Sequence, residues 1–315
     1  MAGNTNYDRL LGATLENYRP TLEDNIFTSK PLLYAITTFG NVETLDGGVS
    51  ITQPLMYAEL GNQGSYSGDD TFLTAEDEGT TAANYAWKQY YATIRLENIE
   101  IAKNQGANAV LRIVENEIQR AELSIAESLD VLFIGDGTGN GSKDFNGLGN
   151  LIGSNTAGAI GGIDPAGAGN AWWQSQIQTT GGSLTLAALR TLYLDCSEGN
   201  DFPTNIFTTQ IVYGAFDALL VGQQRFMDPA MANQGFETIM FHGAPLSFDR
   251  NITAGQLFML NLKYITLYKL GSNWFAMSEW LEPTNQDIRI KKILLYGELT
   301  ISNRKRQGFD SGLTA

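Results

Sequence analysis

Val49-Ser-Ile-Thr-Gln-Pro-Leu-Met-Tyr-Ala-Glu-Leu60 and Asn84-Tyr-Ala-Trp-Lys-Gln-Tyr-Tyr-Ala-Thr-Ile-Arg-Leu96 are two runs of β-forming residues. Between them lies a polar tip carrying Gly61, Gly64, Gly68 and Gly79. At about 3.3 Å per residue, arms of this length reach roughly 40 Å. In the second run Tyr85, Trp87 and Tyr91 share one face, and Tyr90, Ile94 and Leu96 share the other. Large side chains on both faces require cover on both, and a lone two-stranded ribbon is marginal in water. No adjacent segment supplies enough partner strands, so the ribbon is expected to lie on another subunit. The alternative is pairing with C-terminal strands of the same chain.

Upstream, residues 5–18 read as a short amphipathic helix ended by Pro20, and a second short segment, Asn25 to Phe39, leads to Gly47-Gly48. Downstream, Val110, Val114, Ile118, Ala121, Ile125, Leu129 and Leu132 recur at helical spacing, predicting a helix from Gln105 to Ile134. Such a helix is a rod of roughly 45 Å, a spine packed on a sheet, closed by Gly135-Asp-Gly137. Residues 135–182 are glycine-rich and irregular and include Trp172-Trp173. Helices are expected at Leu184–Asp195 and Ala215–Gln223, with strands at Asn205–Val212 and near Thr238–Phe241. Three more strands follow, at Leu257–Leu270, Trp274–Trp280 and Ile288–Ile301. The fold class is therefore α+β, and no period of 20–50 residues repeats.

The 315 residues carry 34 acidic and 20 basic side chains, a net charge of −14. That balance argues against a sequence-independent grip on nucleic acid or on anionic lipid. The chain has one cysteine, Cys196, and one histidine, His242, which excludes an intrachain disulfide, a Cys-rich zinc site and a two-histidine metal centre. No stretch is apolar for the ~20 residues of a membrane span, and residues 1–18 contain no signal-type apolar core. A soluble chain made in a reducing compartment is expected, with no cofactor and no membrane partner.

Motifs for chemistry mostly fail. In Gly135-Asp-Gly-Thr-Gly-Asn-Gly-Ser-Lys143, Ser142 separates Gly141 from the lysine and the run follows a helix, so it is not a phosphate loop. Asp136, Asn140, Gly141 and Asp144 partly mimic a calcium loop, but Gly147 stands where the bidentate acid belongs and Thr138 where a carboxylate or amide is favoured. Cys196 or a serine with His242 lacks the framing of a nucleophile site. A calcium-dependent hydrolase using residues 136–144 is the enzyme alternative.

Charge distribution says more. Between Lys30 and Lys88 there is no Lys or Arg, while Glu43, Asp46, Glu59, Asp69, Asp70, Glu76, Asp77 and Glu78 all fall there. Arg289, Lys291, Lys292, Arg304, Lys305 and Arg306 concentrate positive charge near the C-terminus. Copies of the chain are expected to adhere, with Asp69, Asp70, Glu76, Asp77 and Glu78 of one facing Arg304, Lys305 and Arg306, or Arg112, of a neighbour, and with Trp87 also in the interface.

Tyr18-Arg-Pro-Thr-Leu-Glu-Asp-Asn-Ile26, Gly64-Ser-Tyr-Ser-Gly68, Trp87-Lys-Gln-Tyr90, Gly161-Gly-Ile-Asp164 with Trp172-Trp173, and Leu184-Thr-Leu-Ala-Ala-Leu-Arg190 occur in this order. Gln223-Gln-Arg-Phe226, Gly243-Ala-Pro245, Pro283 to Asp287 and Ser302-Asn-Arg-Lys-Arg-Gln-Gly308 follow. Together they resemble the major capsid proteins of tailed bacteriophages, the Hong-Kong-ninety-seven-like family. The resemblance implies an N-terminal arm (1–45), an extended loop (46–100), a spine helix and peripheral domain (101–159), an axial domain (160–270) and return strands with a tail (271–315). It implies a non-enzymatic virion subunit that forms pentamers and hexamers around double-stranded DNA, assembled in the host bacterial cytoplasm with portal and scaffolding proteins and with room for a decoration protein. Some members link a loop lysine covalently to a neighbour's asparagine. With no lysine between Lys30 and Lys88, a non-covalent shell is expected. Some carry a long removable N-terminal segment; about 25 residues precede the peripheral region here, so a separate scaffolding protein is expected. Encapsulins, which build nanocompartments, share this architecture and are the alternative.

Overall fold

A computed structural model describes residues 30–103, 113–156, 158–220 and 239–314. The helix expected at 5–18, Arg112 and the 223–226 segment lie outside the described residues. The chain condenses into two units, one drawn from 91–126 and 277–293, the other from 30–90, 127–276 and 294–314.

Helix α1 (Pro31–Thr38) opens on a proline, whose missing N–H has no partner to lose in a first turn, and buries Leu32, Ala35 and Ile36. After it come β1 (Asn41–Leu45), β2 (Ser50–Met56), β3 (Thr80–Ala86) and β4 (Lys88–Glu97). Strands β2 and β3 form an antiparallel ribbon with Ser50 opposite Ala86 and Met56 opposite Thr80. Each holds seven residues, about 23 Å, not the roughly 40 Å expected. The second run is two strands, because its buried face changes phase. Ala83 and Tyr85 point inward in β3, but Ile94 and Leu96 are the buried pair in β4. A side-chain period of two cannot bury odd and even positions in one unbroken strand, so the ladder breaks at Trp87.

Helix α2 (Asn98–Lys103) precedes the spine helix α3 (Ile113–Ile134), about 33 Å long, which buries Ile125, Leu129 and Phe133 at four-residue spacing. The first part of the expected 105–134 helix lies outside the described residues. Strand β5 (Gln176–Thr179) and helix α4 (Leu186–Cys196) follow; the Thr185 hydroxyl caps α4 by accepting the Ala188 amide at 3.1 Å. Strand β6 (Asn205–Thr208) is shorter than expected, because helix α5 (Gln210–Leu219) starts earlier than the sequence implied. Val212, Tyr213 and Phe216 recur with helical period, and packing them into the core overrides the β-preference of Ile211 and Val212.

Strands β7 (Ile239–Phe241), β8 (Ala244–Phe248), β9 (Leu257–Leu260), β10 (Ile265–Met277), β11 (Ile288–Ile301) and β12 (Gly308–Ser311) complete the fold. The expected 257–270 strand divides at the turn Leu262–Tyr264, and β10 absorbs much of the strand expected at 274–280. Two sheets result besides the ribbon. One has the order β1-β10-β11-β4, so the alternative of pairing with the C-terminal strands holds for β4. The other is mixed, in the order β5-β12-β9-β6-β8-β7. Leu189, Leu192 and Cys196 of α4 and Val212 and Phe216 of α5 form one core with Ile206, Leu246, Leu257 and Met259 of this second sheet.

Arg304 corrects the charge reading. It is wholly buried, and its Nε, Nη1 and Nη2 donate to the main-chain carbonyls of Leu151, Trp173 and Ser154, each at 2.7 Å. Burial draws its pKa down to about 10, which leaves it charged at neutral pH. A planar fork meeting three fixed carbonyls is a structural tie within one chain and cannot face a neighbour's acids. Arg306 also pairs within the chain, with Glu198 and, at 4.0 Å, Asp201. Of this triplet Lys305 alone is exposed. Replacing Arg304 with methionine strands the buried Leu151 and Trp173 carbonyls and the part-buried Ser154 carbonyl; at about 1–3 kcal/mol for each buried group, the dissociated subunit should lose roughly 3 kcal/mol or more in urea unfolding.

Glu298, in β11, is fully buried. Its Oε1 accepts the Asn146 and Leu299 amides at 2.8 and 2.9 Å, while Oε2 has no hydrogen-bond partner. Burial raises its pKa to about 8, well above the ordinary 4.5. The folded chain therefore keeps a proton that the unfolded chain has already lost, and stability falls as pH climbs from about 4.5 to about 8. Glu298→Gln keeps both accepted bonds and cannot ionise. Its unfolding midpoint relative to the parent should rise steadily from pH 5 to pH 8 and then level.

Candidate functional site

The ribbon β2–β3 is anchored at its base and bare at its tip. Alternation puts Ile51, Gln53, Leu55, Ala83 and Tyr85 on the covered face. Tyr85 donates its hydroxyl to the Ile301 carbonyl at 2.9 Å, and Gln53 donates to Thr300 Oγ1 at 3.0 Å, both at the end of β11. Gly161 supplies a further seat. Its carbonyl accepts the Asn84 amide at 2.8 Å, its φ is +60°, and a Cβ there would stand 2.8 Å from Ala83 Cβ and 3.1 Å from the Tyr85 ring. The Tyr57 and Trp172 rings stack with centroids 5.3 Å apart, and Trp87 gives its indole N–H to the Gly48 carbonyl at 2.9 Å. Trp87 is thus half-buried within its own chain, where it ties the ribbon's exit strand to its entry.

Beyond Tyr57 no regular strand remains until Thr80, and almost every side chain in between is exposed. The tip braces itself. Asp77 accepts the Gly61 amide, Asn62 donates to the Ala75 carbonyl, Asp70 accepts the Ser67 amide at 2.6 Å, and Tyr66 meets Phe72 edge-on at 5.0 Å. Two of the five acids expected to face a neighbour, Asp70 and Asp77, therefore hold the tip's own shape. Asp69, Glu76 and Glu78 are exposed beside them. The tip also has an apolar half that its charge pattern does not disclose: Leu60, Tyr66, Phe72 and Leu73 are each more than half exposed. Their signal was present as large apolar residues in a segment with neither helical nor strand period. Tyr66 and Phe72 touch each other, and exposed apolar residues concentrated in one segment make it a candidate contact surface.

The enzyme alternative finds little to work with. Asp136 spends its carboxylate on the Thr138 amide and hydroxyl, which holds its pKa below the usual range and makes a self-contained turn. Among the described residues no three His, Cys, Asp or Glu side chains come together as a metal site would require. Cys196 is buried under Gly308, and burial pushes its thiol up to about 12, leaving no thiolate at neutral pH. His242 is exposed on the β7–β8 turn, stacked on Tyr193 with centroids 5.0 Å apart.

The sequence matches no family model and no curated protein. Among solved structures, the chain is similar to the cyanophage A-1(L) capsid asymmetric unit, with a TM-score of 0.73 and 15% identity over 96% of this chain and 98% of that one. It is similar to the capsid of Myoviridae phage XM1, with a TM-score of 0.59 and 13% identity over 95% and 97%. The holo-SrpI encapsulin complex from Synechococcus elongatus PCC 7942 is also similar, with a TM-score of 0.60 and 10% identity over 93% and 96%. The fold is that of shell-building subunits. Within that class it is the α+β, Hong-Kong-ninety-seven-like fold of tailed-phage capsid proteins.

Gly161→Ala should unseat the ribbon base, since it combines a left-handed backbone with a contact against Ala83 and Tyr85. A loss of about 1–3 kcal/mol is expected in urea unfolding of the dissociated subunit, together with faster proteolysis between 57 and 79.

Proposed function

We propose that this chain is the major capsid protein of a tailed bacteriophage, a structural subunit without catalytic activity. In this reading copies assemble through pentamers and hexamers into a closed virion shell in the host cytoplasm. One observation carries the proposal: an anchored ribbon extends an acidic, apolar-studded tip that its own chain leaves bare, in a fold shared with shell subunits along nearly its whole length. Obligate interfaces of this sort bury about 2,000–5,000 Å² per pair and are rich in such apolar side chains. The arm, extended loop, spine, axial domain and tail take the ranges given by the resemblance. The shell is held without covalent links, because residues 31–87 contain no lysine. Portal and scaffolding proteins act during assembly, and double-stranded DNA is confined inside a wall of net negative charge with no sequence recognition.

A second reading, a nanocompartment shell of the encapsulin kind, is favoured by the similarity to the SrpI complex. Electron microscopy of purified particles, with their nucleic-acid content measured, separates the two. Closed shells that contain or package DNA are expected; closed shells with protein cargo alone support the compartment, and a discrete 34.4 kDa monomer or small oligomer overturns both. Changing Leu60, Phe72 and Leu73 together to serine should leave far-UV circular dichroism unchanged and reduce shell yield at least tenfold. Intact shells from that variant would remove the tip from the assembly surface.

A further inference from the structure

The chain contains two Asn-Gly pairs, Asn140-Gly141 within the glycine run and Asn146-Gly147 just after it. Such a pair exposes the asparagine carboxamide to attack by the next main-chain nitrogen, because glycine has no side chain to obstruct the approach. The fold treats the two pairs oppositely. Asn140, Gly141 and Ser142 are exposed and have φ of +50°, +68° and +63°. L-residues enter that left-handed region at a cost, so little is lost when the turn opens. A Cβ on Gly141 would meet nothing within 4 Å. Among the described residues no hydrogen bond reaches the Asn140 carboxamide or the Gly141 amide. The turn is held instead by the Ser142 amide, which donates to the Thr138 carbonyl at 3.1 Å, and by the Lys88 ammonium on the Ser142 carbonyl.

Asn146-Gly147 is locked. Gly147 is buried, and a Cβ there would stand 2.3 Å from the Gly135 carbonyl oxygen and 2.4 Å from that of Leu132. Asn146 gives its main-chain amide to Glu298 Oε1 at 2.8 Å, and its Oδ1 accepts Asn150 Nδ2 at 3.0 Å. The carboxamide is thus tied on one side, and the nitrogen that would attack it is shut away from any base in solution.

We propose that Asn140 is a self-modification site, converted to aspartate and isoaspartate through the Gly141 amide, while the fold protects Asn146. Hydroxide removes the Gly141 amide proton, and the nitrogen bonds to Asn140 Cγ. The Cγ–Nδ2 bond breaks, Nδ2 takes up a proton and leaves as ammonia, and a five-membered succinimide remains. Water then opens the ring: cleavage of the bond from Cγ to the Gly141 nitrogen gives aspartate, and cleavage at the main-chain carbonyl carbon gives isoaspartate. Water enters, ammonia leaves and nothing is oxidised. Either product adds a negative charge to the turn that Lys88 holds. The isoaspartate also routes the chain through Cγ, which lengthens the turn between Thr138 and Ser142 and strains the bond that closes it. The inference concerns the single chain and stands independently of the shell reading.

Incubation of the dissociated, intact subunit at pH 6.5 and pH 8.5, followed by peptide mapping, tests it. Cleavage after Lys143 puts the two asparagines on separate peptides, and mass spectrometry reads the exchange of NH2 for OH at each. In the folded chain Asn140 should convert roughly tenfold or more faster than Asn146, whose reaction waits on local opening. Conversion of Asn140 should be faster at pH 8.5, because a base must take the amide proton. In concentrated guanidinium chloride, which removes the packing around Gly147, the two rates should come within about threefold of each other. Equal conversion in the folded chain, or none at Asn140, overturns the proposal. So does a folded-state ratio that survives in denaturant, since the fold would then not be its cause.

Discussion

A two-stranded ribbon in water survives only if one of its faces is covered, and here the cover comes from the chain that makes it. Tyr85 is the centre of that cover. Its ring is buried, its hydroxyl is spent on the Ile301 carbonyl, and Gly161 leaves room for it by having no side chain. The direction of the ribbon's base is therefore set within the subunit, and in the proposed shell its tip would not have to be searched for. A preset arm gives up less conformational entropy on association than a flexible one, which is the physical advantage of folding the base and exposing the end.

The buried ionisable groups divide by what surrounds them. Arg304 meets three carbonyls and keeps its charge, because a guanidinium is weakly hydrated and its fork fits fixed acceptors. Glu298, Asp130 and Asp249 lie buried among amide donors, and burial raises all three pKa values, that of Glu298 to about 8 and that of Asp130 to about 7. One group fastens the C-terminal segment under all ordinary conditions. The others make parts of the same unit sensitive to protons. A fold with 34 carboxylates could have left all of them in water, and placing a few inside couples its cohesion to pH.

Much of the architecture was legible from residue pattern. The spine helix, the strand at 288–301, the helix ending at Cys196 and the irregular glycine-rich stretch all have periods or breakers strong enough to read directly. Two of the misreadings share one cause. A run of β-formers does not disclose which parity is buried, so the phase change at Trp87 was invisible and two strands looked like one. In the same way Arg304-Lys305-Arg306 reads as a surface patch, because charge is visible in sequence and the carbonyls that would internalise it are not.

The α+β class, the absence of cations from 31 to 87, the acidic tip and the order of segments that resembles a capsid subunit can all be read along the chain, because composition and local periodicity are properties of neighbouring residues. The folded chain alone shows that the ribbon rests on its own chain and that two of three C-terminal basic residues are internal ties. Each of those depends on groups roughly 100 or more residues apart meeting within a few ångströms, and burial, which sets both the cost and the pKa of a charge, exists only after that meeting.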